Sequence, residues 1–382
     1  MTEPAPVAVY LHWPYCARIC PYCDFNVVRE RGRETEKATL IDAMVADLQV
    51  QAERLGPRRL ASIFFGGGTP SLMLPEGAAR LIETAQRLFP TVDPVEITLE
   101  ANPTDAETAR YRAFAEAGVN RLSLGVQSLN DDALRFLGRD HSAAEARRAV
   151  EAAQSTFGRV SIDLIYARPD QTAAAAAWRA ELAEAIALGP EHISPYQLTI
   201  EAGTAFGKSY ERGALIPPDD DAQEGLYDLT QATLADAGFD AYEVSNHARG
   251  PAAQSVHNLH VWRGHEYLGI GPGAHGRLNL DEARTTTVAH RRIADYVAAV
   301  DQTGVGWAEA EPLSPLEAAE ERLMLGLRTT EGVAVSALAP LDLSDRIASL
   351  VADGFLELSA NRLSATPRGR KVLDAVIRAL LV

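Results

Sequence analysis

The sequence predicts an α/β chain: a partial (β/α)6 barrel of the TIM type, followed by a small helical, winged-helix-like module. Three observations lead there. Strand-like apolar runs and helix-spaced runs alternate six times between residues 7 and 198, which is the pattern of stacked βα units and a parallel sheet. Nearly every strand-like run ends in chemistry: three cysteines, Gly66-Gly67-Gly68-Thr69-Pro70, Glu100, Gln127, Asp163, and Tyr196-Gln197. A barrel gathers such ends around one mouth, whereas an open sheet gathers them only at a switch point. Past Pro312 the alternation gives way to helices and one hairpin-like pair. Six units in place of eight leave the barrel with an open side.

Taken in order, residues 7–11 are a short apolar run, a buried first strand with the cysteine loop at its C-terminal end. Leu40, Met44 and Leu48 recur at helix spacing within 36–55, and Gly56-Pro57 stops that helix. Residues 61–65 form the second strand, and Leu81, Ile82, Ala85 and Leu88 mark the next helix. Residues 95–100 alternate as a third strand, and 105–117 read as one helix ending at Gly118. Strands over 121–125, 160–165 and 192–198 complete the six, with helices over 143–153 and 172–188 between them. Beyond residue 200 a helix over 221–237 and a strand over 241–244 are expected. The last segment reads as helices over 316–327 and 343–351, a hairpin of 355–358 with 362–364, and a helix to Leu381 that starts at the N-cap pair Thr366-Pro367. These changes divide the chain into a barrel over 1–240, an extension over 241–312 packing on it, and a module over 313–382.

Composition narrows the function. The chain has 382 residues, 47% hydrophobic and 23% charged, as in ordinary soluble proteins. Net charge is −16, from 36 basic and 52 acidic residues, which disfavours nucleic acid and anionic membrane surfaces as partners. The winged-helix-like module holds 8 basic and 9 acidic side chains, so it lacks an electrostatic footprint for DNA. No apolar run approaches the ~18 residues of a membrane span, and the N-terminus has no signal-peptide pattern. Unpaired thiols with no export signal predict a reducing, cytoplasmic location.

All three cysteines, Cys16, Cys20 and Cys23, lie in one stretch at C-x3-C-x2-C spacing. Three thiolates on one loop can converge on one metal centre. A cubane iron–sulfur cluster takes four ligands, so this loop would leave one iron open for something other than protein. A zinc site completed by His12 or a distant histidine is the alternative. Five of the nine histidines fall within 246–275, namely His247, His257, His260, His265 and His275.

C-x3-C-x2-C with Tyr22 before the last cysteine, followed by GGGTP after the second strand, resembles the radical S-adenosylmethionine (SAM) superfamily. Within it the chain resembles the coproporphyrinogen dehydrogenase group, and most of all its heme-chaperone branch, HemW. The likeness extends through Glu100-Ala101-Asn102-Pro103, Arg121-Leu122-Ser123-Leu124-Gly125-Val126-Gln127-Ser128, Ser194-Pro195-Tyr196-Gln197-Leu198 and Tyr267 to His275. The resemblance implies a [4Fe-4S] cluster on Cys16, Cys20 and Cys23, with SAM on the open iron. Reduction by an electron donor would cleave the sulfonium to a 5′-deoxyadenosyl radical. It also implies cofactor roles for Gly67, Gly68, Thr69 and Glu100 along the methionine amine, and for Arg139 at the methionine carboxylate. Gln127 and Asp163 are expected at the ribose hydroxyls, and Tyr15 beside the cluster.

Two members of this group are separated by departures. The oxygen-independent coproporphyrinogen III dehydrogenase carries a fourth cysteine two residues after the third, where this chain has Phe25, and an extension ahead of the cysteine loop, where only fifteen residues precede Cys16. Both departures imply the heme chaperone, which binds heme and passes it to acceptor proteins. That branch carries an HNxxYW motif. Here it reads His257-Asn258-Leu259-His260-Val261-Trp262, with valine in place of tyrosine. His257, Asn258 and Trp262 are therefore the expected heme-binding residues, His257 is the first candidate iron ligand, and His260 a possible extra one. The segment from Ile165 to Asp170 also departs from the family, which has glycines near Ala167 and Asp170. Three readings stand: a heme chaperone, the dehydrogenase, and a zinc-stabilised binding module.

Overall fold

The computed structural model describes residues 3–32, 34–91, 94–169 and 175–382. Six parallel strands, β1 (Pro6–Trp13), β2 (Arg59–Gly67), β3 (Glu96–Ala101), β4 (Arg121–Gln127), β5 (Arg159–Tyr166) and β6 (His192–Gln197), lie side by side in sequence order. Their residues are buried on both faces, as expected of parallel strands with helices outside. The register sets Val9 beside Ile63, Phe65 beside Leu99 and Leu99 beside Leu122. Core-forming rows thus continue across the sheet, and all the strands end at one mouth.

The helices follow the expected spacing. Helix α1 (Glu34–Leu55) buries Leu40, Met44 and Leu48, and α2 (Pro75–Leu88) buries Leu81, Ile82 and Ala85. The helix expected over 105–117 is two pieces, α3 (Asp105–Thr108) and α4 (Tyr111–Glu116). The break falls where Arg110 turns aside to bond the carbonyls of Ser71 and Met73. After α5 (Asp131–Phe136) and α6 (Ala143–Thr156), α7 spans Ala175–Ala187. Asp170 and the first three residues of the helix expected over 172–188 lie outside the described residues.

The weak signal after residue 200 conceals further sheet. Short antiparallel strands β7 (Asp240–Ala241) and β8 (His247–Ala248) continue beyond β6. On the other side β9 (Glu266–Ile270) pairs in parallel with β1. It is followed by antiparallel β10 (His275–Leu280), β11 (Ala283–Ala289) and β12 (Trp307–Pro312). The sheet has twelve strands among the described residues, in the order β12-β11-β10-β9-β1-β2-β3-β4-β5-β6-β8-β7, and no ladder joins its two edges. These added strands carry glycine, threonine and glutamate in place of apolar alternation, which is why periodicity missed them. Gly269 of β9 pairs with Tyr10 of β1, and the position takes glycine because a Cβ there would collide with the His275 carbonyl.

Residues from Leu323 to Leu380 form a second, smaller core. It packs helices Pro315–Gly326, Ser344–Ala352 and Leu373–Leu381 on a three-stranded sheet of Val333–Ala334, Arg362–Ala365 and Leu356–Ser359. The last helix breaks at Val372, leaving a first piece Pro367–Lys371 capped by the Thr366 hydroxyl. Two hydrogen bonds tie this module to the segment just after β7: Thr330 N donates to Tyr242 O (3.0 Å), and the Arg370 side chain donates through Nη2 to Glu243 O (2.8 Å). Among the described residues no helix is long and apolar enough to cross a membrane.

Candidate functional site

At the mouth, Tyr15–Cys16 leaves β1 and pairs in parallel with Val28–Arg29, closing the cysteine loop on itself. Cys23 N donates to Cys20 O at 3.2 Å, a turn that brings the later cysteines round. The glycines of β2 then press against the loop. Gly68 N donates to Trp13 O (2.7 Å) and Thr69 N to Tyr15 O (2.8 Å). Gly67 has φ +105°, and a Cβ there would lie 2.6 Å from the His12 ring. Only glycine fits such a position, on both backbone and space.

Cys16, Cys20 and Cys23 line one cavity of about 390 Å³ together with Gly67, Gly68, Thr69, Glu100, Gln127, Arg139 and Asp163. Ten of the eleven residues expected at the cluster and SAM thus meet there. Tyr15 is the exception. Its ring is buried against Trp13 (5.1 Å), its hydroxyl donates to Glu36 at 2.6 Å, and its carbonyl accepts from Thr69 N. Burial pushes the Cys16 thiol up to about 12, and raises Cys23 as well. Among the described residues no three His, Cys, Asp or Glu side chains gather closely enough for a single metal ion.

The polar wall is interlocked. Arg139 Nη1 lies 3.4 Å from Cys20 Sγ, and Nη2 donates to Gly125 O (3.0 Å) and to the Asn102 side chain. Asn102 in turn donates to Thr69 Oγ1 (3.1 Å). Asn102 was missed as a site residue, although it stands in the quoted Glu100-Ala101-Asn102-Pro103. Gln127 has φ 64° at a register shift between β4 and β5, a strained placement of the sort found at binding sites. Two carboxyls face the same space. Burial, with the neighbouring Asp163 charge, pushes Glu100 up to about 8. Burial pushes Asp163 up to about 6 against the Ser194 and Ser123 hydroxyls. Such a pair is prepared for a cationic ligand, which would restore both charges.

A second cavity, of about 790 Å³, adjoins the first, and Asp24, Phe25, Gly67, Glu100 and Tyr196 line both. Phe25, 61% exposed, therefore stands between the cysteine loop and the larger space. His257, Asn258, Val261 and Trp262 form part of its wall on helix Val256–Trp262. Glu96 holds that helix by accepting from Val256 N (3.1 Å) and His257 N (2.9 Å), and it pairs with Arg159 at 2.7 Å. His257 stacks on Phe64 at 4.8 Å, and burial drives its ring down to about 3. His260 points elsewhere: its Nε2 is 2.7 Å from Glu266 O, its ring packs on His265, and it lines neither cavity. The expectation of His260 as an extra ligand is thereby corrected.

Residues 10–178 match the radical SAM superfamily, and 313–372 match the HemN C-terminal domain. The chain is 33% identical over 397 residues to the heme chaperone HemW of Escherichia coli strain K12, covering 100% of both chains. It is 39% identical over 393 residues to the mitochondrial radical S-adenosyl methionine domain-containing protein 1 of Danio rerio, covering 98% of this chain and 87% of the other. Among solved structures it is similar to the Escherichia coli coproporphyrinogen III oxidase HemN, with TM-score 0.82 at 19% identity, covering 100% of this chain and 91% of that one. That likeness establishes the fold: a HemN-like radical SAM α/β sheet with a C-terminal domain. By its full-length relatives, the chain belongs to the radical SAM superfamily, in the family that includes heme chaperone HemW.

Proposed function

We propose that this protein is a heme chaperone of the HemW kind. A [4Fe-4S] cluster sits on Cys16, Cys20 and Cys23, SAM lies in the smaller cavity, and heme is held in the larger one for transfer to acceptor proteins. The observation that carries the reading is the paired cavities. A site for cluster and SAM opens on a second space large enough for a drug-sized or larger ligand, walled by His257, Asn258 and Trp262. Near full-length similarity to proteins named heme chaperone HemW supports it.

The residues suit the groups. Three free thiols face one cavity, and a bound metal would deprotonate them. The Arg139 guanidinium beside Cys20 favours anionic sulfur. When bound, the cluster supplies an electron to the sulfonium of SAM. Gly67 and Gly68 let the ligand come close to backbone, and Glu100 and Asp163 offer carboxylates to its ammonium and hydroxyls. Arg139 ties Cys20, Gly125 and Asn102 together through its two Nη atoms, while its buried Nε has no partner among the described residues, and the guanidinium would meet the methionine carboxylate. The unpaired thiols suit a reducing, cytoplasmic setting, while the matched animal relatives are named as mitochondrial.

The experiment is a comparison of two activities on the anaerobically reconstituted protein. Heme is expected to bind and move to an apo-heme acceptor, and coproporphyrinogen III with SAM and a reductant is expected to remain unconverted. Protoporphyrinogen IX among the products would replace this reading with the dehydrogenase.

A further inference from the structure

Three histidines line the larger cavity: His12, His257 and His275. They differ in what their rings are free to do. His12 has both nitrogens engaged, Nδ1 with Tyr10 Oη (3.1 Å) and Nε2 with Asn26 O (2.9 Å). His257 is bonded through Nδ1 to Ser62 Oγ (3.0 Å), is only 6% exposed, and stacks one face on Phe64, with Tyr10 beside both rings. His275 opens β10, on the strand group across the cavity. Its side chain is exposed, and among the described residues no hydrogen bond uses either ring nitrogen.

Geometry makes that difference decisive. A macrocycle bound to an imidazole lies across the metal–nitrogen axis, so the ligating nitrogen must stand clear of its wall by the thickness of the disc. A ring only 6% exposed, stacked on Phe64 and tied to Ser62, does not meet that condition, and a ring standing free in the cavity does. The cavity also carries cations suited to carboxylates. Arg291 is exposed and bonded only at long range to Asn26 (3.5 Å). Arg328, from the C-terminal module, lies over the Trp262 ring at 5.4 Å with its Nε buried and unpartnered. Four acids also line this cavity: Asp24 and Glu100 lie where it meets the smaller one, Glu243 is taken up by Ser245 N and Asn246, and Glu309 lies exposed on β12.

We propose that His275 is the axial ligand to the iron of heme bound in the larger cavity, with Arg291 and Arg328 meeting the carboxylates of the macrocycle. This rests on the heme-chaperone reading and names the ligand within it. Imidazole is a common axial ligand, and the motif residues His257, Asn258 and Trp262 become the wall against which the macrocycle lies.

The test titrates ferric heme into the reconstituted full chain and reads the Soret band together with electron paramagnetic resonance, which separates histidine from thiolate ligation. The wild type is expected to give a histidine-ligated signal. H275A is expected to lose that signal and to bind heme about tenfold or more weakly, with free imidazole restoring the signal. H275C is expected to give a thiolate signal, a change that misfolding does not produce. H257A is expected to keep histidine ligation. An H275A protein with wild-type signal and affinity overturns the proposal, as does loss of histidine ligation in H257A alone. A wild type that binds no heme defeats the chaperone reading itself, and this assignment with it.

Discussion

The His257 ring and the Ser62 hydroxyl meet at 3.0 Å in the barrel interior, across 195 positions of sequence. Ser62 is fully buried on β2, and His257 lies in the first turn of a helix whose first amides are held by Glu96 on β3. This bond orients the imidazole: with Nδ1 committed, only Nε2 is turned away from Ser62. His257 thereby acts as a fixed part of the wall. S62A is expected to leave a buried ring nitrogen without its partner and to cost about 1–3 kcal/mol of stability, measured by chemical denaturation. A neutral result would mean that the ring is held by stacking on Phe64 alone.

Glu100 makes the smaller cavity pH-sensitive. Its carboxyl is raised from 4.5 to about 8, chiefly by burial. The folded protein therefore holds a proton that the unfolded chain releases, and ligand-free stability falls as pH rises through that window. E100Q is expected to remove this slope, so its melting temperature should gain on the wild type between pH 5 and pH 8. Ligand binding should run the other way. SAM, whose ammonium favours the carboxylate, is expected to bind the wild type more tightly at pH 8.5 than at pH 6.5. Asp163, raised to about 6, reinforces the trend at its lower end. A wild-type affinity independent of pH would separate Glu100 from the ligand.

Anaerobic reconstitution is expected to load about four irons per chain, with matching sulfide. C20A removes the thiol closest to Arg139 and is expected to abolish that loading while leaving the far-ultraviolet circular dichroism unchanged. Zinc in place of iron and sulfide in the wild type would establish the zinc-stabilised module instead.

Sequence went furthest where the information was local. The C-x3-C-x2-C loop, the glycines at the end of β2 and the order of Glu100, Gln127 and Asp163 at strand ends could be read because each belongs to a short segment, and strand alternation places those segments at one mouth. The added strands from Glu266 to Pro312 were not legible, because glycine, threonine and glutamate carry no period there.

Side-chain direction was out of reach of the sequence for a different reason. Tyr15 turns toward Glu36, His260 toward Glu266 O, and Arg139 toward Asn102, and each orientation depends on a partner supplied by the fold. The sequence by itself determined the donor set and its order around the barrel mouth. Only the tertiary structure decided which histidine stands free in the larger cavity. Burial and hydrogen bonding engage His12 through Tyr10 and the cysteine loop, and His257 through Ser62 on β2, and leave His275 open.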